Sequence, residues 1–281
     1  MLVQRTLTNS INAVGIGLHS GREISIKLLP AEEDTGIIFR RVDFSPPVEI
    51  KAIVNNVGAT TLATTLMQGE VQISTIEHML SAFAGLGIDN AIIEIDDVEV
   101  PIMDGSSSSF VFLIQSAGIK EQTKPKKFIK IKEEISVETD NGAFVKLSPY
   151  DGFKVTYSLV YDDDKHKQYS SKSTIDFNST TYLKEISRAR TFGFMEEVNM
   201  LKDKNLALGA SEKNAIAIGE DGIINEEGLR SKDEFVKHKI LDVVGDLYLL
   251  QYNIIGEFEG YKSGHTCLLY TSDAADDTPC V

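Results

Sequence analysis

The most regular pattern of apolar and polar positions in the chain lies between residues 233 and 250 and predicts a long helix. Its apolar positions recur at the spacing of one helical face, at Val236, Ile240, Val243 and Leu247. Residues four apart lie on the same side of a helix, so a separate polar stripe is predicted from His238, Asp242 and Asp246. An imidazole one turn from a carboxylate can reach a single divalent cation, and the alternative is a charged outer face of an amphipathic helix.

The rest of the chain predicts short strands followed by helices, in two successive groups. In the first group, strands are predicted at 24–29, 37–40 and 91–95, and helices at 75–86 and 107–116. In the second group, strands are predicted at 128–137, 144–147 and 153–161, and helices at 182–187 and 233–250. Asp140-Asn141-Gly142 is a strong hairpin signal between two of the later strands.

A polar, proline-containing stretch at 119–127 separates the two groups and predicts a linker. We therefore expect an α+β fold of two related domains, at 1–124 and 125–265, with the functional site between them. The end of the chain at 266–281 is acidic, rich in small residues and without helical periodicity, so disorder is predicted there.

Composition narrows the possible functions. The net charge of −14 argues against a general nucleic-acid binder, because such proteins need clustered Lys and Arg. No apolar run approaches the roughly 18 residues that span a bilayer, and the N-terminus lacks the apolar core of a signal peptide. A cytoplasmic protein without stable membrane insertion is expected. Only two cysteines are present, Cys267 and Cys280, so any metal site must use His and carboxylate ligands.

A second pairing of imidazole and carboxylate, Glu77-His78, lies near the start of the helix predicted at 75–86. The run from Ser74 to Glu77 fits a capping box, in which Ser74 caps the helix and Glu77 reaches back to it. Both Glu77 and His78 point away from the apolar stripe, so a solvated surface histidine is the alternative to a metal ligand. Spacing alone does not show that this fragment meets the His238 helix in space.

Three further residues carry side chains suited to hydrolytic chemistry. Asp246 lies too far along its helix to share a metal easily and would better serve as a carboxylate that orients a histidine. His265 follows Gly264, which would let the backbone turn and present the ring, and an ordinary loop histidine is the alternative. Thr191 offers a hydroxyl beside an aromatic side chain, and taken alone it is typical of a helix cap or a loop.

In combination, the motifs resemble the UDP-3-O-acyl-N-acetylglucosamine deacetylase family, zinc enzymes of lipid A synthesis. The matching blocks occur in the family's order: GIGLHSG at 15–21, STIEH at 74–78, GLGIDN at 85–90, PIMDGS at 101–106, SRARTFG at 187–193, NEEGLR at 225–230, HKILD at 238–242 and YKSGH at 261–265. The resemblance implies two domains, each of helices packed on small sheets, that face one another across the active site.

The resemblance also implies a role for each candidate residue. The implied ligands of Zn²⁺ are His78, His238 and Asp242. The implied catalytic residues are the general base Glu77, the proton donor His265, its orienting partner Asp246 and the oxyanion-assisting Thr191. The implied substrate-binding residues are Lys239, Phe192 and Lys262.

We therefore predict that a monomeric chain hydrolyses the N-acetyl group of UDP-3-O-acyl-N-acetylglucosamine with Zn²⁺ and releases acetate. The tail at 266–281 stands where family members continue with a helix, and this difference leaves a non-catalytic nucleotide-sugar or lipid binder as the alternative. A zinc peptidase is a weaker alternative, because the chain lacks an H-E-x-x-H motif.

Overall fold

The computed structural model describes residues 2–265, whose two larger β-sheets have five and six strands. The first part of the chain contains strands β1 (Val3–Leu7), β2 (Ile11–Ile16), β3 (Glu23–Pro30), β4 (Ile37–Arg41), β5 (Val48–Lys51), β6 (Leu66–Gln68), β7 (Val71–Ile73) and β8 (Ala91–Ile95). Its helices are α1 (Glu77–Leu86), α2 (Ser108–Ala117) and a 3₁₀ turn at Val54–Asn56. The five-stranded sheet has the order β2-β3-β8-β4-β5, and its β4–β8 pair is parallel.

The second part of the chain forms the six-stranded sheet. The strands of this second part of the chain, not all of which belong to that sheet, are β9 (Ile119–Pro125), β10 (Phe128–Lys130), β11 (Ile135–Glu138), β12 (Phe144–Ser148), β13 (Phe153–Leu159), β14 (Ser171–Asp176), β15 (Phe192–Phe194), β16 (Ile216–Gly219), β17 (Gly222–Ile223) and β18 (Asn253–Tyr261). The sheet has the order β11-β12-β18-β13-β14, and β10 pairs with the same central strand, β18. Strands β15, β16 and β17 form a separate small sheet.

The helices of the second part are the short turn α3 (Ser179–Thr181), α4 (Met195–Asp203) and the long α5 (Glu234–Leu247). A π-helical turn at Tyr182–Ile186 follows α3, and 3₁₀ turns occupy Lys167–Tyr169 and Tyr248–Leu250. Within residues 2–265, every helix falls short of the length and apolar character that a membrane crossing requires.

The α+β class expected from the pattern is confirmed, because alternation and helical periodicity are the strongest local signals. In β3, Ile24, Ile26 and Leu28 are buried while Glu23 and Ser25 are exposed, as a half-buried strand requires. The predicted hairpin at Asp140-Asn141-Gly142 joins the antiparallel pair β11–β12. The helices predicted at 75–86, 107–116 and 233–250 form, and their ends differ from the predicted ones by at most three residues.

Two local predictions were wrong. The stretch expected to be a linker forms β9, which pairs antiparallel with β1, so its polar residues belong to an exposed strand. The capping box does not form, because Thr75 adopts a left-handed backbone conformation (φ 58°) and the helix begins at Glu77 after Ile76. The proposed domain division at residue 124 stays a prediction, and the predicted disorder at 266–281 lies outside the described residues.

Helix α1 lies deep inside the molecule and packs against α5. All ten of its residues are buried, so it has no solvent-exposed face. The two helices come closest at Gly245 of α5, where an added Cβ atom would lie 2.1 Å from the main-chain oxygen of Glu77. Glycine at position 245 therefore allows the C-terminal part of α5 to lie close to the first residue of α1.

Replacing this glycine tests the contact. Helix propensity alone predicts that Gly245→Ala stabilises the protein by roughly 1 kcal/mol. The steric conflict with Glu77 predicts the opposite, a loss of about 1–3 kcal/mol in the free energy of unfolding. Chemical denaturation measures the sign. Gly219→Ala is the control, because the nearest atom to its Cβ would be the flexible end of Ile224 at 3.1 Å, and the nearest main-chain atom would lie at an ordinary 3.7 Å. A stabilised Gly245→Ala protein would contradict the proposed close packing.

Candidate active site

Helices α1 and α5 bring together three side chains that could hold a metal ion. His78 lies in the first turn of α1, whereas His238 and Asp242 lie one turn apart on α5. The Nε2 atoms of His78 and His238 are 3.5 Å and 3.4 Å from Oδ1 of Asp242. One donor atom from each of the three residues lies within 4.8 Å of the others. Residues separated by more than 150 positions in the sequence thus form one compact donor set.

The chemistry of this set fits a divalent cation. The Nδ1 atom of His238 is 3.0 Å from the main-chain oxygen of Ala189, which can only accept a hydrogen bond. The proton therefore sits on Nδ1, and the Nε2 lone pair faces Asp242. Burial lowers the pKa of His238 to about 3 although the Asp242 charge opposes this, so the ring is neutral. Oδ1 of Asp242 is buried without a hydrogen-bond partner among the described residues, as expected for a metal ligand.

The alternative of a solvated surface histidine for His78 is wrong, because only 4% of this residue is exposed. The residue points away from the apolar stripe of α1, as predicted, but α5 covers that side of the helix. His238 and Asp242 are equally enclosed, at 2% and 3% exposed, so the outer-face alternative for α5 is wrong as well. Both errors have one cause: periodicity identifies a polar face but not what packs against it.

A second cluster of polar side chains adjoins the three metal-binding residues. Asp246, one turn beyond Asp242 on α5, accepts a hydrogen bond at its Oδ2 from Nδ1 of His265 at 2.6 Å. Its other oxygen accepts a hydrogen bond from the Thr64 hydroxyl at 2.6 Å. The main-chain N–H of Thr64 in turn donates to Oε2 of Glu77 at 3.2 Å. Glu77 and His265 are thus connected through one threonine.

Two groups of this cluster have shifted pKa values. Burial raises the pKa of Glu77, an effect that the nearby His265 and His78 partly offset. Burial alone would lower the pKa of His265, but the charge and hydrogen bond of Asp246 outweigh it and raise the value to about 9. Near neutral pH the site therefore holds a cationic imidazole at His265, close to a carboxyl group of raised pKa at Glu77. This is the pairing that general acid–base catalysis uses.

Lys239 and Phe192 lie beside the metal-binding residues. The Lys239 ammonium donates to Oδ2 of Asp242 at 3.0 Å, and its side chain is 29% exposed. It lies 5.8 Å from the centre of the Phe192 ring, which is 6.2 Å from the ring of His238. A ligand that reaches the donor set can therefore meet a cation and an aromatic face at its edge.

The other two predicted residues are placed differently. Thr191 precedes Phe192, and its main chain is held at both sides, by Gly105 and by Ile216. Lys262 forms an ion pair with Asp162. Within residues 2–265, no hydrogen bond or ion pair recorded for either side chain joins it to the metal-binding group.

Sequence analysis missed two parts of the site. Thr64 lies in a loop without a motif, and only its position in space shows its importance. Arg190 is 1% exposed and is held by Glu234 at 2.9 Å and by Glu227 at 2.8 Å. This ion pair anchors the segment that carries the Ala189 oxygen to the start of α5, and so orients His238. The SRARTFG block contained Arg190, but nothing in its pattern indicated burial.

Comparison with known proteins gives one consistent result. Residues 4–271 match the family model described as UDP-3-O-acyl N-acetylglycosamine deacetylase. A UDP-3-O-acyl-N-acetylglucosamine deacetylase of Pseudomonas entomophila (strain L48) is 57% identical over 266 residues, covering 95% of this chain and 88% of the relative. One of Cellvibrio japonicus (strain Ueda107) is 53% identical, with the same coverage of both chains.

Proposed function

The chain belongs to the UDP-3-O-acyl N-acetylglycosamine deacetylase family, and on this basis we propose that it hydrolyses the N-acetyl group of UDP-3-O-acyl-N-acetylglucosamine. The reaction is a step of lipid A synthesis and releases acetate. The observation that carries the proposal is the meeting of His78, His238 and Asp242 beside the linked pair of Glu77 and His265. Amide hydrolysis needs an activated electrophile, a base and an acid, and this site offers residues suited to all three needs.

We propose Zn²⁺ as the ion that His78, His238 and Asp242 hold. Two imidazoles and a carboxylate suit zinc, and as three protein ligands they would leave a coordination position open, as in hydrolytic zinc enzymes. When bound, zinc supplies Lewis-acid polarisation of a carbonyl and lowers the pKa of water to about 7. Its +2 charge would also balance the buried carboxylate of Asp242.

The remaining steps fall to side chains of the chain itself. Glu77 takes a proton from the attacking water as the new carbon–oxygen bond forms, and its raised pKa makes it a better base. His265, held cationic by Asp246, offsets the developing negative charge. It then donates its proton to the amine nitrogen as the carbon–nitrogen bond breaks, so acetate and a free amine result.

Substrate binding is assigned to residues at the edge of the site. Lys239 offers a positive charge to an anionic group of the substrate, and Phe192 offers an apolar face to the sugar. Thr191, next to Phe192, would donate its hydroxyl to the oxyanion, and Lys262 would bind the substrate once released from Asp162. The expected monomeric state and cytoplasmic location stay predictions.

The alternative of a non-catalytic binder is not favoured. A relic would be expected to lose its acid–base groups first, yet Glu77, Asp246 and His265 keep a connected set of hydrogen bonds. The deciding assay is acetate release from the acylated nucleotide by the full chain. Binding of the nucleotide without acetate release, with zinc present, would restore the alternative.

The metal prediction is testable by composition. We expect the purified chain to hold about one Zn²⁺, measured by mass spectrometry of the metal after dialysis. Asp242→Asn should weaken metal affinity by more than about 10-fold, because it removes the charged ligand. Asp140→Asn, the same change in the exposed hairpin, is the matched control and should retain the metal. Equal metal content in Asp242→Asn and wild type would show that the ligands are wrong.

Removing the base should separate chemistry from metal binding. Glu77→Gln keeps the size of the side chain and loses its basicity, so kcat should fall by about 10²- to 10⁴-fold. Zinc content should remain unchanged. Glu70→Gln, at an exposed turn, is the control and should have wild-type activity. Full turnover by Glu77→Gln would sink the assignment of the base.

The rate should depend on pH in a bell shape. Activity requires unprotonated Glu77, so it falls as pH drops through the raised pKa of that group. It also requires protonated His265, so it falls again as pH rises through about 9. Asp246→Asn removes the charge that raises the His265 pKa, and should move the basic limb to lower pH. Asp140→Asn, in the exposed hairpin, should leave it in place. An unmoved basic limb in Asp246→Asn would contradict this pairing.

A further inference from the structure

Thr64, which belongs to none of the sequence motifs, contacts Glu77, Asp246 and His265. It is fully buried, with 0% exposure, in the loop that precedes β6. Its hydroxyl donates to Oδ1 of Asp246 at 2.6 Å, and the hydroxyl oxygen of Thr64 also lies 3.3 Å from Nδ1 of His265. Its main-chain N–H donates to Glu77 at 3.2 Å. One residue therefore contacts the base, the acid and the partner of the acid.

The loop that carries Thr64 is itself fixed. The main-chain oxygen of Thr64 accepts a bond from Ile76, directly before α1, at 3.5 Å. Its neighbour Thr65 pairs with Ala59 at 3.0 Å and with Gly58 at 2.9 Å, which closes the loop on itself. The threonine thus has a defined position relative to α1, and through its side chain it reaches α5 and His265.

We infer that Thr64 is a positioning residue of the proposed deacetylation, whose hydroxyl holds Asp246 and His265 in the arrangement that lets His265 release its proton. The inference rests on the proposed function for its catalytic consequence. Its physical basis is the need of the Asp246 carboxylate, which is 0% exposed, for hydrogen-bond donors from the protein. Buried carboxylates need donors on both oxygens, and here Thr64 serves one and His265 the other.

The hydroxyl matters most after the proton has left His265. While His265 is cationic, its charge compensates Asp246. Once the ring is neutral, the buried carboxylate depends on hydrogen bonds alone, and Thr64 supplies one of them. Loss of that bond would make the neutral state less favourable, so His265 would keep its proton more firmly and give it up to the amine less readily. The other charged groups that act on His265 are Glu77 on α1 and Asp242 on α5.

A series of substitutions isolates the hydroxyl. Thr64→Val keeps the shape of the side chain and the main-chain N–H that serves Glu77, and removes the hydroxyl with its bond to Asp246 and its contact to His265. We expect kcat to fall by about 10- to 100-fold with KM changed less than about 3-fold. Thr64→Ser restores the hydroxyl and should recover most of the activity. Thr65→Val makes the same chemical change at the neighbouring buried threonine and should behave as wild type.

A second readout does not depend on activity. The chain has five histidines, so the ring signals of ¹⁵N-histidine-labelled protein can be assigned by single substitutions. In Thr64→Val, His265 should lose its proton at higher pH than in wild type, while Thr64→Ser and Thr65→Val should match wild type. Thermal unfolding of each variant identifies any loss of folding. If Thr64→Val does not fold, Thr64→Ala, which also lacks the hydroxyl, takes its place in the comparison with Thr65→Val.

The outcomes separate the two proposals. If wild type releases no acetate, the proposed function fails, and the His265 titration still decides whether Thr64 acts on this pair. If wild type is active and Thr64→Val matches Thr65→Val in both kcat and titration, the inference about Thr64 is overturned. A loss of thermal stability in Thr64→Val with unchanged kcat and titration would assign Thr64 a structural role and would also overturn the inference.

Discussion

The approach of α1 to α5 at Gly245 is the contact on which the rest of the site depends. The main-chain oxygen of Glu77 occupies the space that any larger residue at 245 would fill. This proximity brings His78 within 3.5 Å of Asp242 and places Glu77 alongside Asp246 and its partners. A wider spacing would separate Glu77 from His265 and would move His78 of α1 out of reach of His238 and Asp242 of α5.

Such a close approach also concentrates charge where water cannot screen it. Asp242, Asp246 and Glu77 are all nearly fully buried, which is costly unless cations or hydrogen-bond donors surround them. Lys239 serves Asp242, His265 and Thr64 serve Asp246, and the Thr64 main chain serves Glu77. Burial raises the pKa of Glu77, whereas the charge and hydrogen bond of Asp246 raise that of His265 against the effect of burial.

Several helices and strands, and the polar stripe of α5, could be predicted from the sequence, because helices and strands have fixed repeats. The polar stripe of His238, Asp242 and Asp246 follows from the period of the α-helix alone. The strands β3 and β8 follow from alternation, and the hairpin follows from Asn141-Gly142. Strand β18 was missed because two of its inward positions, Gly256 and Gly260, are glycines. An added Cβ there would lie 2.7 Å from Ile131 and 2.9 Å from Tyr157, so close packing removed the apolar signal.

By itself, the sequence offered candidates for the chemistry through its motif blocks, and it determined how His238, Asp242 and Asp246 are spaced along one helix, because periodicity is a local property. Only the tertiary structure decided that His78 is buried, that α1 and α5 meet at a glycine, and that Thr64 joins the base to the acid. These facts depend on contacts between residues far apart in the sequence, such as Thr64 with Asp246, 182 positions away, and no local pattern encodes such contacts.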